Sequence, residues 1–254
     1  MSDSNSKPRA SSRPQKHNSA KFIDSVLALA PRLAVFDCDG TLWSGDGGQD
    51  FFYWEIAHKL IADEVERWAV PRYADYREGK VEEKQMCGEM VTIHAGLPVA
   101  EIERAAEQFF VEVLEPRIFL EMQELTAKLL ASACELWAVS STNEWVIAAG
   151  ASRFGIPRER VLAASVEVRD GLATDRLIQV PTDEDKALAI RKHVRRRPDL
   201  VFGNSIHDAA MLQLASHAFA INPNPDLEQI AQQSGWQIYW PHSARQVAEK
   251  LAGG

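Results

Sequence analysis

Two aspartates separated by one residue, Asp37 and Asp39, stand directly after a continuous apolar run at Leu33–Phe36. Because side chains alternate along a strand, we expect both carboxylates on one side, about 7 Å apart, with Cys38 pointing into packing. Such a pair can divide the work of a nucleophile and a general acid/base. Two solvated loop aspartates would give the same pattern, and the pair alone favours neither interpretation.

A serine and a lysine could complement these acids. Ser140 follows the apolar run 136–139, where a hydroxyl and nearby amides could hold an anion, although residues 140–143 (SSTN) also suit an ordinary helix cap. Lys186 falls in the first turn of a predicted helix, with Thr182 and Asp185 as a capping box. A cation there opposes the helix dipole, so we expect an acidic partner; without one, Lys186 would be a solvent lysine.

The segment GNSIHD at 203–208 also follows an apolar run and precedes a helical pattern. Asn204 and Asp208 offer the hard oxygen ligands that Mg²⁺ selects, whereas a helix cap and a surface aspartate would be the alternative. We expect His207 to be structural.

Apolar strands and amphipathic helices alternate along most of the chain, which predicts an α/β fold with a doubly wound parallel sheet. In such sheets, ligands bind beyond the carboxyl ends of the strands. An Asp170-Gly171 turn predicts a small hairpin. The predicted strands are 33–36, 136–139, 200–202 and 218–221, and the predicted helices are 21–30, 121–131, 144–152, 183–194 and 207–215.

Residues 49–114 break this alternation and contain helical patterns only, predicted at 51–69, 73–95 and 99–114. We call this segment the helical insert and expect it to cap the strand ends. The predicted organisation is a disordered tail at 1–20, a core formed by 21–48 with 115–254, and hinges at 45–48 and 115–117.

Composition limits the partners. The 254 residues carry a net charge of −8, which disfavours binding to nucleic acid or anionic lipid and favours small ligands. Three scattered cysteines indicate neither a disulfide framework nor a zinc site and suit the cytoplasm. No apolar run is long enough to cross a membrane, and oligomeric state cannot be read from the sequence.

The four motifs together, DCDGT at 37–41, Ser140, Lys186 and GNSIHD at 203–208, resemble the haloacid dehalogenase superfamily in its phosphatase branch. The position of the helical insert is similar to that of the phosphoserine-phosphatase-like subgroup. The resemblance implies a Rossmann-like core, a helical cap, a Mg²⁺ cofactor and a phosphoaspartyl mechanism. Dehalogenating members lack the second aspartate, so Asp39 favours phosphoester chemistry.

The resemblance also implies a role for each matching position. Asp37 would be the nucleophile and Asp39 the acid/base, while Ser140 would bind a phosphoryl oxygen and Lys186 would offset negative charge. Mg²⁺ would be held by Asp37, the Asp39 backbone carbonyl, Asn204 and Asp208. Most family phosphatases carry aspartate where this chain has Asn204, so we expect weaker metal affinity.

The substrate is expected to be a small phosphorylated metabolite. Asp46 matches a glutamate that contacts the substrate amino group in phosphoserine phosphatases, whereas Met90 stands where those enzymes have an arginine for the substrate carboxylate. Trp43 and Trp145 could stack on a cationic head group, with core packing as their alternative use, and Ser141 is a further candidate contact.

These features suggest phosphoserine-like compounds, phosphocholine or phosphoethanolamine as substrates. Two other functions stay open at this point. One is a catalytically weak relative that binds a phosphoryl ligand, and the other is a phosphotransferase or phosphomutase.

Overall fold

A seven-stranded sheet forms the centre of the computed structural model, which describes residues 13–244, with side chains from Ser19 onward. The strand order is β4-β3-β2-β1-β5-β6-β7, and every neighbouring pair is parallel except β3 with β4. The strands are β1 Leu33–Phe36, β2 Glu135–Asn143, β3 Val161–Arg169, β4 Leu172–Gln179, β5 Leu200–Gly203, β6 His217–Ile221 and β7 Gln237–Tyr239. This architecture confirms the predicted α/β, Rossmann-like fold.

The continuous apolar character of β1 follows from its central position. Ala34 and Phe36 pack into one hydrophobic core, while Leu33 and Val35 pack into a second core on the other face of the sheet. Because both faces are covered by helices, no polar position is tolerated until the strand ends at Asp37.

Ten α-helices flank the sheet or form the helical insert in the described part of the chain. They are α1 Arg13–Leu27, α2 Gly47–Ala57, α3 Asp63–Arg77, α4 Glu83–Thr92, α5 Val99–Phe109, α6 Leu120–Ala131, α7 Glu144–Ser152, α8 Glu184–His193, α9 Ala209–Leu212 and α10 Pro225–Ser234. A π-helical turn, Phe110–Leu114, follows α5.

The four predicted strands and the hairpin are present. At the hairpin turn, Asp170 and Gly171 both have positive φ, +50° and +78°, as a two-residue turn between twisted strands requires. Two strand features were not predicted. The first half of β3 joins the parallel sheet beside β2, and the short β7 extends the sheet at its other edge.

The helical insert contains four helices rather than the predicted three. The chain leaves α2 through Lys59, whose φ is +55°, and α3 then continues through Pro71. Proline costs about 3 kcal/mol inside a helix. Ala69 and Tyr73, on either side of it, pack with Phe52 in a separate small core within the insert, and this packing offsets the cost.

Helix α1 begins upstream of its predicted start at Lys21. It starts at Arg13, within the segment predicted as a tail, while residues 1–12 lie outside the described part of the chain. Its buried residues Phe22, Ile23 and Val26 anchor it on the core, which supports helical structure upstream of the predicted start.

The two chain segments that join the insert to the core run side by side. Trp43 and Ile118 form an antiparallel bridge, and the Ser44 backbone N–H donates to the Arg117 carbonyl at 3.0 Å. The insert therefore leaves and rejoins the core at one place. Between residues 13 and 244, no helix combines the length and apolarity needed to cross a bilayer.

Candidate active site

A cavity of about 440 Å³ lies at the carboxyl ends of β1, β2 and β5. The core side of its wall carries the polar motifs, and the insert contributes the opposite side from α2, α3 and α4. The predicted residues that line it are Asp37, Asp39, Asp46, Ser140, Ser141, Lys186 and Asn204. The sheet thus brings together motifs that are far apart in sequence.

Asp37 lies at the base of this cavity and is 4% exposed. Its Oδ2 accepts a hydrogen bond from Thr41 Oγ1 at 2.8 Å, and its Oδ1 accepts one from Lys186 Nζ at 2.8 Å. Burial and the neighbouring Asp208 carboxylate raise the pKa of Asp37 to about 7, although Lys186 acts in the opposite direction. Cys38 packs into the core, as the alternation along the strand predicts.

Lys186 is buried between two carboxylates. Its Nζ lies 2.8 Å from Asp37 Oδ1 and 2.6 Å from Asp208 Oδ1. Burial by itself lowers the pKa of this ammonium group, but Asp208 and Asp37 more than compensate, so the pKa is raised. The acidic partners expected for a lysine in the first helical turn are therefore present.

The predicted capping box is absent from this helix. Thr182 Oγ1 donates instead to Glu83 Oε1 in the insert at 2.9 Å.

Asp208, which the resemblance implies as a metal ligand, contacts Lys186 and two backbone amides in this structure. It is fully buried and does not line the cavity. One carboxylate oxygen accepts from Lys186, and the other accepts from the backbone N–H groups of Asn204 and Ser205 at 2.9 and 3.0 Å. Asp208 therefore positions Lys186 and the Asn204 loop.

Asp39 is held by three donors. Its Oδ1 accepts from Trp43 Nε1 and from the Gly47 backbone N–H, both at 2.7 Å, and its Oδ2 accepts from Thr142 Oγ1 at 2.8 Å. Burial and the charge of Asp46 raise the pKa of Asp39 to about 6 despite these hydrogen bonds. A carboxyl group with this pKa can both give and accept a proton near neutral pH.

Asn204 faces the cavity beside Gly40. A Cβ added to Gly40 would fall 1.9 Å from Asn204 Nδ2, and the φ of Gly40 is +77°, so glycine is required on both counts. The Asn204 amide oxygen and the Asp37 carboxylate are hard donors on the same cavity wall, of the kind that Mg²⁺ prefers.

The charge balance of the site also suits a cation. Asp37 and Asp208 place two carboxylates against the single ammonium of Lys186, and Asp39 adds a third. In residues 13–244, no group of three or more His, Cys, Asp or Glu side chains is arranged to hold a metal ion. A metal here would therefore depend on the amide of Asn204 and on backbone oxygen in addition to Asp37.

Ser140 and Ser141 lie at the end of β2. The buried Ser140 Oγ accepts from the Thr142 backbone N–H at 3.1 Å, which leaves its own proton for an acceptor in the cavity. Ser141 lines the wall, and Cys87 of α4 lines the same cavity. Asn143 caps α7 by accepting from Val146 N at 3.0 Å, so the SSTN segment supplies a helix cap as well as two serines of the cavity wall.

The two predicted substrate-stacking tryptophans do not line the cavity. Trp43 is fully buried, and its ring packs edge-on against Phe110 with the ring centres 5.3 Å apart. Trp145 is 2% exposed and packs against His94. Both indoles are core residues. Trp43 packs inward from the segment that follows β1 and contributes to the site only by donating to Asp39, and Trp145 lies on the buried face of α7.

Sequence reasoning did not identify several residues of the cavity wall. The insert contributes Tyr73, Tyr76, Glu83, Met86 and Cys87, and Met90 lies there as well. Their helical spacing indicates a buried face without showing what that face covers. Thr41 and Thr142 could have been found, since each lies within two or three residues of a predicted catalytic position.

Asp46 accepts a hydrogen bond from the Gln49 backbone N–H at 2.9 Å and so caps α2. Its position in the cavity wall leaves the carboxylate available to a ligand as well.

His207 joins the insert to the core. Its Nε2 lies 2.7 Å from Glu83 Oε2, and its Nδ1 lies 2.8 Å from Asp183 Oδ1. The hydrogen bond to Glu83 is the main cause that raises the pKa of His207 to about 9.

Comparison with known protein families identifies the family of this chain. The fold and site together define a Rossmann-like α/β protein with an acidic pair at the end of its first strand. The family model described as haloacid dehalogenase-like hydrolase matches residues 34–213. The chain belongs to this family.

Curated relatives carry phosphatase names. The chain is 30% identical over 159 residues to "Phosphoserine phosphatase SerB1" of Mycobacterium tuberculosis, covering 60% of this chain and 51% of the relative. It is 26% identical over 217 residues to "Histidinol-phosphatase" of Neisseria meningitidis, covering 81% and 97%. The chain thus spans about half the length of the mycobacterial relative and nearly all of the neisserial one.

Solved structures share the fold. A protein of unknown function from Bordetella pertussis matches with a TM-score of 0.71 at 25% identity, over 82% of this chain and 97% of that one. A phosphoserine phosphatase in a phospho-aspartyl intermediate analogue form matches with a TM-score of 0.56 at 17% identity, over 87% and 98%. The family match over residues 34–213 confirms the predicted resemblance to the haloacid dehalogenase superfamily.

Proposed function

We propose that this protein is a Mg²⁺-dependent phosphomonoester hydrolase that acts on a small phosphorylated amine through an aspartyl-phosphate intermediate. The observation that carries the proposal is the buried Asp37 carboxylate, paired with Lys186 at the base of a cavity that Asp39 also lines. The family relatives named as phosphatases support the same reaction class.

Asp37 is the nucleophile in this proposal. One carboxylate oxygen attacks phosphorus and forms a P–O bond while the bond from phosphorus to the substrate oxygen breaks. Thr41 and Lys186 hold the two oxygens of the carboxylate and fix its orientation before attack.

Asp39 moves the proton. In the first step its protonated form donates to the departing alcohol oxygen. In the second step the resulting carboxylate takes a proton from a water whose oxygen attacks phosphorus, while the bond from phosphorus to Asp37 breaks and phosphate is released. The three hydrogen bonds from Trp43, Gly47 and Thr142 keep the carboxyl group oriented through both steps.

Positive charge is needed because a phosphate dianion meets several carboxylates here. Two like charges 4 Å apart repel by about 4 kcal/mol at an effective dielectric constant of about 20. Lys186 supplies one cation, and Ser140 donates to a phosphoryl oxygen. Mg²⁺, held by Asp37, Asn204 and the Asp39 backbone carbonyl, would supply the remaining charge stabilisation.

The wall opposite Asp37 supports an amine-bearing substrate without a carboxylate. It carries the Asp46 carboxylate, two tyrosines and Met90, and no arginine is among the described residues that line the cavity. An ammonium group would pair with Asp46, while a substrate carboxylate would find no bidentate partner. We therefore place phosphoethanolamine and phosphocholine ahead of phosphoserine.

A phosphate-release assay with purified protein and Mg²⁺ tests this function. Phosphoserine and phosphoethanolamine form the sharpest pair because they differ only by the carboxylate; phosphocholine, histidinol phosphate and a sugar phosphate complete the set. We expect phosphoethanolamine or phosphocholine to exceed phosphoserine at least tenfold in kcat/KM. We also expect Asp46→Asn to raise KM for amines but not for an aryl phosphate.

Three outcomes would refute parts of this proposal. Equal rates on every substrate would remove the case for amine recognition. Phosphate transfer that occurs only with an added alcohol would indicate a phosphotransferase. Binding of phosphate esters with no turnover above that of Asp37→Asn would indicate a phosphoryl-ligand binder.

A further inference from the structure

A histidine lies between two carboxylates that belong to different parts of the molecule. Glu83 is the first residue of α4 in the insert, whereas Asp183 directly precedes α8 in the core. His207 contacts both, at 2.7 Å and 2.8 Å, and Glu83 accepts a further hydrogen bond from Thr182 Oγ1. Glu83 thus makes two polar contacts with the core.

The protonation state of the His207 ring follows from its two carboxylate partners. Carboxylates accept hydrogen bonds, so each ring nitrogen that faces an ionised carboxylate must carry a hydrogen. Since Nε2 faces Glu83 and Nδ1 faces Asp183, the ring is an imidazolium. Both contacts are therefore charge-assisted, and the Glu83 side chain is only 17% exposed, which limits solvent screening.

The same histidine is connected to the catalytic loops. It directly precedes Asp208, which holds Lys186, and it follows the Asn204 loop by three positions. Asp183, with φ of +48°, adopts a conformation that costs free energy for a residue with a Cβ. Its hydrogen bond to His207 helps to hold this conformation at the entry to α8.

We propose that Glu83, His207 and Asp183 form an ionic latch, in which the imidazolium of His207 keeps α4 of the insert closed against the core above the cavity. His207 is thus a positioning residue. The latch determines how often the wall formed by α4 separates from the core. This goes beyond the proposed reaction, and it can be tested without any turnover.

The chain contains a reporter for this opening. Cys87 lies in α4, is partly exposed and lines the cavity together with Ser141 of the core. Cys38 and Cys134 are 0% and 3% exposed in the core. Opening of α4 should increase the exposure of the already partly exposed Cys87 alone, whereas global unfolding should expose all three thiols.

The experiment measures alkylation of each cysteine by iodoacetamide in the full chain, using mass spectrometry. We expect His207→Gln to increase the alkylation rate of Cys87 about tenfold, because this is the ratio expected when a charge-assisted contact is lost. The alkylation rates of Cys38 and Cys134 should stay unchanged. Glu83→Gln keeps the acceptor for Thr182 but loses the pairing with His207, so it should give a similar increase.

Two further variants complete the design. In the variant that carries both changes, Cys87 should be alkylated about as fast as in the faster single variant and no faster, because both changes break the same contact. Lys80→Gln removes exposed ion pairs with Asp75 and Glu78 that lie wholly within the insert, so it should label like the unmodified protein.

The latch is refuted if Cys87 reacts at the parental rate in both single variants. It is also refuted if all three cysteines accelerate together, because His207 would then contribute only to overall stability.

Discussion

Lys186 and Asp37 form a buried ion pair between residues 149 positions apart in the sequence, with 2.8 Å between Nζ and Oδ1. The pair connects the first strand of the sheet to helix α8, and the second oxygen contact of Lys186, to Asp208, extends it to the loop after β5. One ammonium group thus links three of the four motifs at the sheet edge.

Removing this ammonium group should destabilise the fold in a pH-dependent way. Lys186→Met leaves Asp37 and Asp208 buried without their cation, which costs about 3–5 kcal/mol when both are ionised. Because the pKa of Asp37 is raised to about 7, this carboxyl group takes up a proton as pH falls from 8 to 5.5, and the cost shrinks. Urea unfolding at pH 8 and pH 5.5 should show the larger loss at pH 8, together with loss of phosphatase activity.

Lys192→Met is the control, since this exposed lysine lies in the same helix. It should leave unfolding and activity unchanged. A Lys186→Met loss of equal size at both pH values would contradict the electrostatic explanation.

Gly40→Ala should displace Asn204. Its new Cβ would overlap the Asn204 amide, so we expect at least a hundredfold fall in activity and a stability loss of about 1–2 kcal/mol from the positive φ. Gly79→Ala is a matched control because its φ is +76° but nothing lies within 4 Å of an added Cβ. It should lose similar stability and keep its activity. Equal activity in the two variants would show that Asn204 is not needed in this position.

Asp39→Asn should lose activity and gain stability. The folded state raises the pKa of Asp39 from 3.8 to about 6, so the ionised form is less well accommodated there than in the unfolded chain. The parental protein therefore loses stability as pH rises from about 4 to 6, up to ~3 kcal/mol, and the variant does not. The amide can keep the bonds from Trp43 and Gly47 and donate to Thr142.

The measurement is the difference in Tm between Asp39→Asn and the parental protein in metal-free buffer. The variant should be more stable at pH 8, and the difference should approach zero near pH 4. A variant that is less stable at pH 8 would show that Asp39 is not strained in its ionised form.

Asn204→Asp should strengthen the response to Mg²⁺. The substitution adds a negative charge to the proposed oxygen donors, so half-maximal activity should be reached at a Mg²⁺ concentration about tenfold lower. Titration of phosphatase activity with MgCl₂ checks this, with Asn224→Asp at another position of the cavity wall as control. Superimposable titration curves for Asn204→Asp and the parental protein would exclude Asn204 as a ligand.

The residues at the strand ends could be predicted because local rules govern them. An apolar run buried on both faces must end where polar chemistry begins, which located Asp37, Ser140 and Asn204 from the sequence. Lys186 was found instead from its place in the first turn of a predicted helix. The direction of Trp43 and Trp145 could not be predicted, because proximity in sequence to a motif does not determine which way a side chain points once the backbone leaves the strand.

The features that could not be predicted from the sequence depend on contacts between residues far apart in the chain. Helix α3 continues through Pro71 because the small core of the insert supports it, and no local pattern shows this. Glu83 and His207 meet across 124 positions, and neither lies in a motif that indicates the other. The contacts of Asp208 were missed for the same reason, because the sequence did not show that Lys186 and two backbone amides would occupy both of its oxygens.

The adjoining chain segments at Trp43 and Ile118 have an evolutionary consequence. Because the loop that carries the insert starts and finishes at neighbouring points, its length and composition can change without altering the strand spacing that the chemistry requires. Exchange of this module between relatives would replace one specificity with another in a single recombination event, while the ancestral reaction centre is inherited intact.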